Sequence, residues 1–214
     1  MSKAALLRVP VFPLAGALLF PGSQLPLHIF EPRYRAMVRD ALDGDGLIAM
    51  IQPRPDAEEG AERPALFDVG CIGRIAACDA TDDGRYNIVL EGLSRFRVAR
   101  EAKVDTPYRQ IDADRSAFPL GTDEALGIAQ RAEIERESRA YADSLGYAVD
   151  WTSVERLDDE MLVNGIAQIA PLDVGSKQAL LEAPDLAVRA DLLVQFMQFQ
   201  RMAPGGADGP ETLQ

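Results

Sequence analysis

Lysine is almost absent from this chain of 214 residues, which carries it only at Lys3, Lys103 and Lys177. The formal net charge is −12, because 34 aspartates and glutamates outnumber 22 lysines and arginines. Such a surface repels phosphate backbones and anionic lipid headgroups, which require clustered cationic side chains. We therefore expect no nucleic-acid partner and no membrane partner, and any basic patch must be built from scattered arginines.

Cysteine occurs only twice, as Cys71 and Cys78. Their odd spacing directs them to opposite faces of a strand and matches no metal-ligand spacing, so we expect two buried, reduced thiols. Long apolar runs are also missing. No segment approaches the roughly 20 apolar residues of a membrane span, and the N-terminus lacks the apolar core of a signal peptide. These absences predict a cytoplasmic protein.

Histidine is present once, as His28, which excludes a metal site built from paired histidines. The phosphate loop G-x-x-x-x-G-K-[ST] is missing, since Ala170 stands where its first glycine would precede Lys177. The motifs G-x-S-x-G and H-E-x-x-H are missing as well. We predict no cofactor, no metal and no catalytic residue, with His28 as a structural residue between apolar neighbours.

What the chain does have is a proline-rich opening, VPVFPLAGALLFPGSQLPLHIFEPRYRAM, at residues 9–37. Leu25, Leu27 and Ile29 alternate with polar or proline positions, which predicts a strand that presents His28 on the opposite face. Because proline cannot donate to a β-ladder, the prolines indicate strand ends, edges or bulges. Pro32 is then well placed to begin an amphipathic helix.

The remainder of the first half reads as short strands. They are predicted near residues 47–51, 68–78, 86–90, 96–99 and 108–113, with turns at 82–84 and 91–93 and a mobile surface loop at 53–64. A strand meander with one early helix and no βαβ rhythm predicts a mainly antiparallel β-barrel.

The second half reads as helices. Thr122 is a candidate N-cap for a helix that runs to about Leu145, Asp158 or Asp159 begins the next one, and Asp173 caps a short third. A last helix follows Pro184. We therefore predict an α+β chain with a barrel at residues 1–118, a helical bundle at 119–203 and a disordered tail at 204–214.

The sequence predicts one candidate binding surface. The bend from Phe20 to Pro26 is expected to leave apolar groups near solvent, and exposed apolar patches mark partner sites; the alternative is that these side chains belong to the core. The candidate binding residues are Phe20, Pro21, Leu25, Pro26, His28, Phe30 and Arg33.

Taken together, VFPLAGALLFPGSQLPLHIFEPRYRAM, VGCIGRI and DGRYNIVLEGLSRFRV resemble the opening, strand and hairpin of the Lon protease N-terminal (substrate-binding) domain. The segment LVNGIAQIAPLDVGSKQALLEAPDLAVRADLL resembles its helical part, so the resemblance covers most of residues 8–200. It implies a PUA-like β-barrel with one helix followed by a helical bundle, in the stand-alone bacterial form of the domain. This agrees with the element order read from the residues.

In Lon, that domain recognises unfolded or tagged proteins and helps to assemble the hexamer, while the ATPase and the Ser–Lys peptidase are later domains. The chain ends before either would start. The resemblance therefore implies a non-enzymatic module that binds unfolded or extended polypeptide as an accessory of proteolysis, with another protein of the proteolysis machinery as a further partner. The bend and the cleft between barrel and bundle are the expected binding surface.

Two other functions stay open at this point. PUA-like barrels include RNA readers, although the charge of this chain argues against that role. A small-molecule site in the barrel mouth would use His28 together with Arg33 or Arg74. The oligomeric state is left undetermined.

Overall fold

The computed structural model of the chain describes residues 6–55, 63–118 and 125–202. Within these ranges the elements are β1 (Leu7–Pro13), β2 (Gln24–Ile29), α1 (Pro32–Leu42), β3 (Leu47–Ile51), β4 (Val69–Ala80), β5 (Tyr86–Glu101), β6 (Gln110–Asp114), α2 (Ile128–Ser144), α3 (Trp151–Val154), α4 (Asp159–Ile169), α5 (Val174–Glu182) and α6 (Leu186–Met202). No helix in these ranges is long and apolar enough to cross a bilayer.

Strands β5, β4, β3, β1 and β6 close a barrel, because β5 also pairs with β6. Strand β5 is 16 residues long, and its first half pairs with β2 as well as with β4. Every pairing between these strands is antiparallel except that of β1 with β3. The predicted α+β fold, a mainly antiparallel barrel with one helix before a helical bundle, is confirmed.

The barrel interior is filled by apolar side chains from all five barrel strands. Its buried cluster consists of Val9, Val11, Ala49, Ile51, Ile72, Phe96, Ile111 and Ala113. These positions alternate along each strand with residues that face outward, as the period of a β-strand requires. The interior is therefore a packed core.

A second and larger hydrophobic cluster joins the outside of the barrel, α1 and the helices. Helix α1 begins at Pro32 as predicted and buries Tyr34, Met37 and Val38 against the barrel. Leu42, at the last turn of α1, is 46% exposed. Because the cluster extends from Phe12 in β1 to residues of α6, one apolar core serves both halves of the chain.

The turn predicted at residues 91–93 is wrong, because β5 runs through these residues without interruption. Gly92 instead lets another part of the chain approach closely: a Cβ atom there would lie 2.1 Å from the carbonyl oxygen of Phe20. The glycines of β4 act similarly, since a Cβ on Gly70 would lie 2.4 Å from the Met50 carbonyl oxygen. Close packing of backbones thus explains the glycines in both β4 and β5.

The helical half agrees with the predicted caps where it is described. Asp158 accepts a hydrogen bond from the backbone of Met161 at the start of α4, and Asp173 caps α5 in the same way. The predicted cap at Thr122 lies outside the described residues, as do the tail at 204–214 and most of the acidic loop. Helix α2 begins at Ile128 with Gly127 as its N-cap, because residues 125–127 are not helical, so the helix that was predicted to follow Thr122 starts later than expected. The short α3 is an addition that the sequence did not indicate.

Barrel and bundle are joined by polar contacts in addition to the shared apolar core. Gln168 on α4 donates to the Leu18 carbonyl at 2.8 Å and accepts from the Phe20 amide at 3.1 Å. Arg95 on β5 donates to the Leu181 carbonyl at 3.0 Å and also to that of Ala183, both at the end of α5. Several side chains thus satisfy backbone groups across the junction, as buried polar groups require.

Candidate peptide-binding groove

The structure divides the seven predicted binding residues among three places. Phe20 and Pro21 lie at the barrel–bundle junction, where the Pro21 carbonyl accepts a hydrogen bond from Asn164 at 3.0 Å. Leu25 is partly buried against the core, while the neighbouring Pro26 is exposed. The remaining candidates, His28, Phe30 and Arg33, follow one another along the chain from β2 into α1.

Phe20 corrects the expectation of an exposed apolar bend, because its side chain is 0% exposed. The segment before β2 lies against Gly92 on one side and α4 on the other, where its backbone is held by Gln168. Apolar contacts and these hydrogen bonds fill the region that was expected to be an open cleft between barrel and bundle. The first half of the predicted surface is therefore an internal interface.

Strand β2 is paired on one side only, with β5, among the described strands. Gly92 accepts a hydrogen bond from the Gly22 amide and donates one to the Ser23 carbonyl, which sets the phase of this ladder. In an antiparallel pair the bonded positions alternate, so the backbone groups of Pro26 and His28 point away from β5. Proline at such a position leaves no ladder hydrogen bond unmade.

A groove of about 520 Å³ lies on the outer face of β2, β5 and β4. We call it the β2 groove; its lining is Pro26, Leu27, His28, Ala77, Cys78, Asp79, Asn87, Ile88 and Val89. The lining is largely apolar, with His28, Asp79 and Asn87 as polar groups. An apolar groove with a few polar groups beside an unpaired strand edge suits an extended peptide.

The orientation of His28 is set by a neighbour on β5. Its Nδ1 atom lies 2.7 Å from Oδ1 of Asn87, the residue directly opposite in the ladder. The imidazole also lies beside the Phe30 ring, with centroids 6.2 Å apart and planes 25° apart. Phe30 is 56% exposed, so a large aromatic face remains available to a partner next to the groove.

The two cysteines do lie in different environments, but the expectation that both are buried is wrong. Cys71 is buried in the core, whereas Cys78 is exposed in the β2 groove. Burial raises the pKa of the Cys71 thiol to about 12. The pKa of Cys78 is also raised, first by partial desolvation and then by the nearby Asp79 carboxylate. Neither thiol is activated as a nucleophile, because both shifts favour the protonated form.

A second concave site lies where α1 begins. We call it the arginine–tyrosine cleft; it has a volume of about 740 Å³ and is lined by Pro13, Arg33, Tyr34, Arg63, Pro64, Val104, Thr106, Pro107, Tyr108 and Arg109. Sequence reasoning selected only Arg33 from this set. Most of the others come from the β5–β6 connection and the far end of the acidic loop, with Pro13 from β1 and Tyr34 from α1, and no motif links them.

Two glutamates organise the arginines of this cleft. Glu101 binds Arg109 through two hydrogen bonds of 3.0 and 2.7 Å and also pairs with Arg63. Hydrogen bonds from Arg109 lead the causes that lower the pKa of Glu101, so the carboxylate is charged at neutral pH. Arg33 pairs with Glu31 at 2.8 Å and lies 4.6 Å from the centre of the Tyr34 ring.

The polar residues proposed for a small-molecule site do not converge. His28 lines the β2 groove, Arg33 lines the arginine–tyrosine cleft, and Arg74 is exposed on β4. Within the described ranges, no group of three or more histidine, cysteine, aspartate or glutamate side chains is arranged to hold a metal ion. The geometry of the described residues therefore offers surfaces for recognition.

Comparison with known proteins gives one consistent family. The profile of the ATP-dependent protease La (LON) substrate-binding domain matches residues 8–198. Lon protease 2 of Myxococcus xanthus is 29% identical over 90% of this chain, and Lon protease 2 of Sorangium cellulosum is 32% identical over 88%. The chain spans 24% of the length of each of these relatives.

Solved structures show the same fold. A Lon N-terminal domain protein from Xanthomonas campestris has a TM-score of 0.66 and 24% identity, with 89% of this chain and 99% of that chain covered. The N-terminal domain of the Mycobacterium avium complex Lon protease has a TM-score of 0.69 and 20% identity, with 90% and 98% covered. On the extent of the profile match, the chain belongs to the Lon substrate-binding domain family.

Proposed function

We propose that this chain is a non-enzymatic module that binds unfolded or extended polypeptide, and that it does so along the free edge of β2. The observation that carries the proposal is the unpaired β2 edge beside the β2 groove, in a chain of the Lon substrate-binding domain family. An extended segment added to this edge gains backbone hydrogen bonds that do not depend on its sequence. Recognition of this kind suits unfolded proteins of many sequences.

Phe30 and the groove supply the apolar part of the binding. A segment lying along β2 places alternate side chains on the outer face of the sheet, because side chains alternate along a strand. Those side chains meet Pro26, Val89 and the exposed ring of Phe30. Because ordering a disordered ligand costs free energy, we expect weak and broad binding that a second site strengthens.

The proposal includes a cytoplasmic location and a role as an accessory of proteolysis, with another protein of the proteolysis machinery as a partner. Two free cysteines support a reducing compartment. Because Phe20 lies in the core, the proposed binding surface is the β2 edge and not the sequence-predicted bend. The net charge of −12 disfavours a polyanionic ligand. The alternative roles in RNA or small-molecule binding gain no support from the geometry of His28, which lies on the outer face of the sheet.

The test compares two exposed phenylalanines. Binding of a fluorescently labelled, permanently unfolded model protein is measured for wild type, Phe30→Ala and Phe199→Ala. Phe199 is 73% exposed on α6 and serves as the matched control. We expect Phe30→Ala to weaken binding about tenfold, which corresponds to about 1.4 kcal/mol, and Phe199→Ala to leave it unchanged.

Hydrogen exchange on the same complex locates the contact. The backbone amides of Gln24 and His28 point away from β5, so strand addition should slow their exchange when the unfolded protein binds. Equal binding by both alanine variants, with no new protection along β2, would reject this placement. Absence of binding by the wild-type chain would reject polypeptide recognition altogether.

A further inference from the structure

We infer that the arginine–tyrosine cleft binds a carboxylate of the recognised polypeptide, either an acidic side chain or a C-terminus. This inference rests on the proposed function and adds a chemical preference to it. The chain as a whole is strongly acidic, yet three arginines line the cleft and outnumber the two glutamates, Glu31 and Glu101, that pair with them. A local cationic lining on an anionic protein favours a small anionic group over a large polyanion.

Tyr34 provides a hydrogen-bond donor that nothing in the described chain uses. Its side chain lines the cleft but is only 8% exposed, because the ring packs on Phe12 with centroids 4.3 Å apart. Its hydroxyl forms no hydrogen bond with any residue in the described ranges and remains accessible to solvent in the cleft. Burial, the leading cause, raises the pKa of Tyr34, so the hydroxyl remains protonated at neutral pH and can donate to an anion.

Arg33 lies over the Tyr34 ring as a preoriented cation. Its guanidinium is held at 2.9 Å by Glu31 and lies over the Tyr34 ring, which fixes the side chain at the mouth of the cleft. The guanidinium has five N–H donors in a planar fork that matches a carboxylate, so the contact to Glu31 leaves donors for a second anion. Ligand binding thus does not require Arg33 to leave its present position.

Arg109 has a different role, because each of its three guanidinium nitrogens already donates a hydrogen bond within the protein. It holds Glu101 through two hydrogen bonds and donates to the Pro64 carbonyl at 2.8 Å. These contacts fix the wall of the cleft. Arg63 pairs with Glu101 as well, but its side chain is otherwise exposed. We therefore assign direct contact with the carboxylate to Tyr34 and Arg33, with Arg63 supporting the charge.

The position of the cleft along the chain favours a polypeptide over a nucleotide. Phe30 flanks the β2 groove and Arg33 lines the cleft, and three residues of chain span at most about 11 Å. A segment bound along β2 can therefore reach the cleft within a few residues. An RNA strand long enough to use both sites would bring many phosphates against a surface with net charge −12.

The experiment uses a pair of labelled, C-terminally amidated peptides that share one extended apolar sequence and differ only in Asp-Asp or Asn-Asn at one end. Fluorescence anisotropy should show about tenfold tighter binding of the acidic peptide. Tyr34→Phe keeps the ring that packs on Phe12, and Arg33→Gln removes the cation; each should reduce the preference to less than about threefold. A third peptide with a free C-terminal carboxylate distinguishes the two sources of the anion.

The control variants are Tyr147→Phe and Arg74→Gln, which make the same chemical changes at exposed positions outside the cleft. Both should retain the full preference for the acidic peptide, and thermal unfolding checks that all variants are folded. Acetate and inorganic phosphate are added as competitors, and a short single-stranded RNA is tested in parallel.

The outcomes separate the two proposals. If neither peptide binds to the wild-type chain, the proposed function fails together with this inference. If both peptides bind equally and Tyr34→Phe has no effect, only the carboxylate site is rejected. Tight RNA binding that Tyr34→Phe abolishes, or phosphate competition at far lower concentration than acetate, would replace the carboxylate by a phosphate ligand and overturn the inference.

Discussion

Nη1 of Arg189 on α6 donates a 2.7 Å hydrogen bond to Oδ1 of Asn164 on α4, inside the helical bundle. Asn164 in turn donates to the carbonyl of Pro21, which precedes β2, and Arg189 also donates to the Leu180 carbonyl at 2.9 Å. Arg189 is buried, so these hydrogen bonds compensate a charged side chain in the core and link α5 and α6, through α4, to the segment before β2. They position the segment that leads into the proposed binding strand.

Removing Asn164 should therefore destabilise the whole chain. We expect Asn164→Ala to lower the free energy of unfolding by about 2–4 kcal/mol, since it withdraws an acceptor from a buried guanidinium and a donor from a carbonyl. Urea denaturation measures the effect. The matched control is Asn87→Ala on the exposed face of β5, for which the change should stay below about 1 kcal/mol. Equal losses for both variants would contradict a special role for the buried residue.

Two glycine substitutions should have effects of opposite sign. Gly92→Ala places a methyl group 2.1 Å from the Phe20 carbonyl oxygen, so β5 and the preceding segment must separate. We expect a loss of more than about 2 kcal/mol of unfolding free energy.

Gly165→Ala is the control, because a Cβ there meets nothing within 4 Å and alanine favours the interior of α4. It should stabilise the chain by about 0.5–1 kcal/mol. Thermal and urea unfolding measure the stability of both variants. Stabilisation by Gly92→Ala would show that the close approach of the two backbones is not required.

Acid stability should depend on Asp112. This residue lies opposite Arg8 on β1 and Arg100 on β5, and each arginine donates to it at 2.5 Å. Hydrogen bonds from Arg8 and then Arg100 lower the pKa of Asp112 to about 2, whereas an unfolded aspartate titrates near about 3.9. A depressed pKa contributes stability that is fully present above about pH 4 and is lost as the pH falls towards 2.

Asp112→Asn should accordingly flatten the dependence of the urea midpoint on pH between about 4 and 2. The double variant Arg8→Gln and Arg100→Gln should flatten it as well, because it removes the cause of the shift. Parallel acid profiles for wild type and Asp112→Asn would rule out this ion triad as a source of acid sensitivity.

Thiol labelling should distinguish the two cysteines. Under native conditions we expect iodoacetamide to modify Cys78, which is exposed, and to leave Cys71 unmodified, since it is buried with a pKa of about 12. Mass spectrometry of the intact chain should therefore show a single adduct, and a second one only in denaturant. Early modification of Cys71 would indicate that β4 opens locally.

Local pattern was sufficient for much of the fold. The alternation of Leu25, Leu27 and Ile29 placed His28 on the outer face, and Pro32 marked the start of α1. Asp158 and Asp173 likewise marked two helix starts. These predictions succeed because strand periodicity, proline geometry and helix capping depend on neighbours a few residues away.

The site depended on distant contacts, and there the sequence was less informative. The residues around Phe20 are typical of an exposed bend. However, the Phe20 amide donates to Gln168, which is 148 residues away, and the absence of a side chain at Gly92 leaves room for the Phe20 backbone. The arginine–tyrosine cleft likewise collects Arg33, Arg63 and Arg109 from three separate segments.

The sequence by itself determined the division into a strand-rich half and a helical half, the outward face of β2 and the anionic character of the chain. The tertiary structure alone decided that the bend at Phe20 is core, that β2 keeps a free edge among the described strands, and that three arginines and Tyr34 line one cleft. The physical reason is that burial and charge convergence arise from packing between segments far apart in the chain, whereas periodicity and caps are properties of each segment alone.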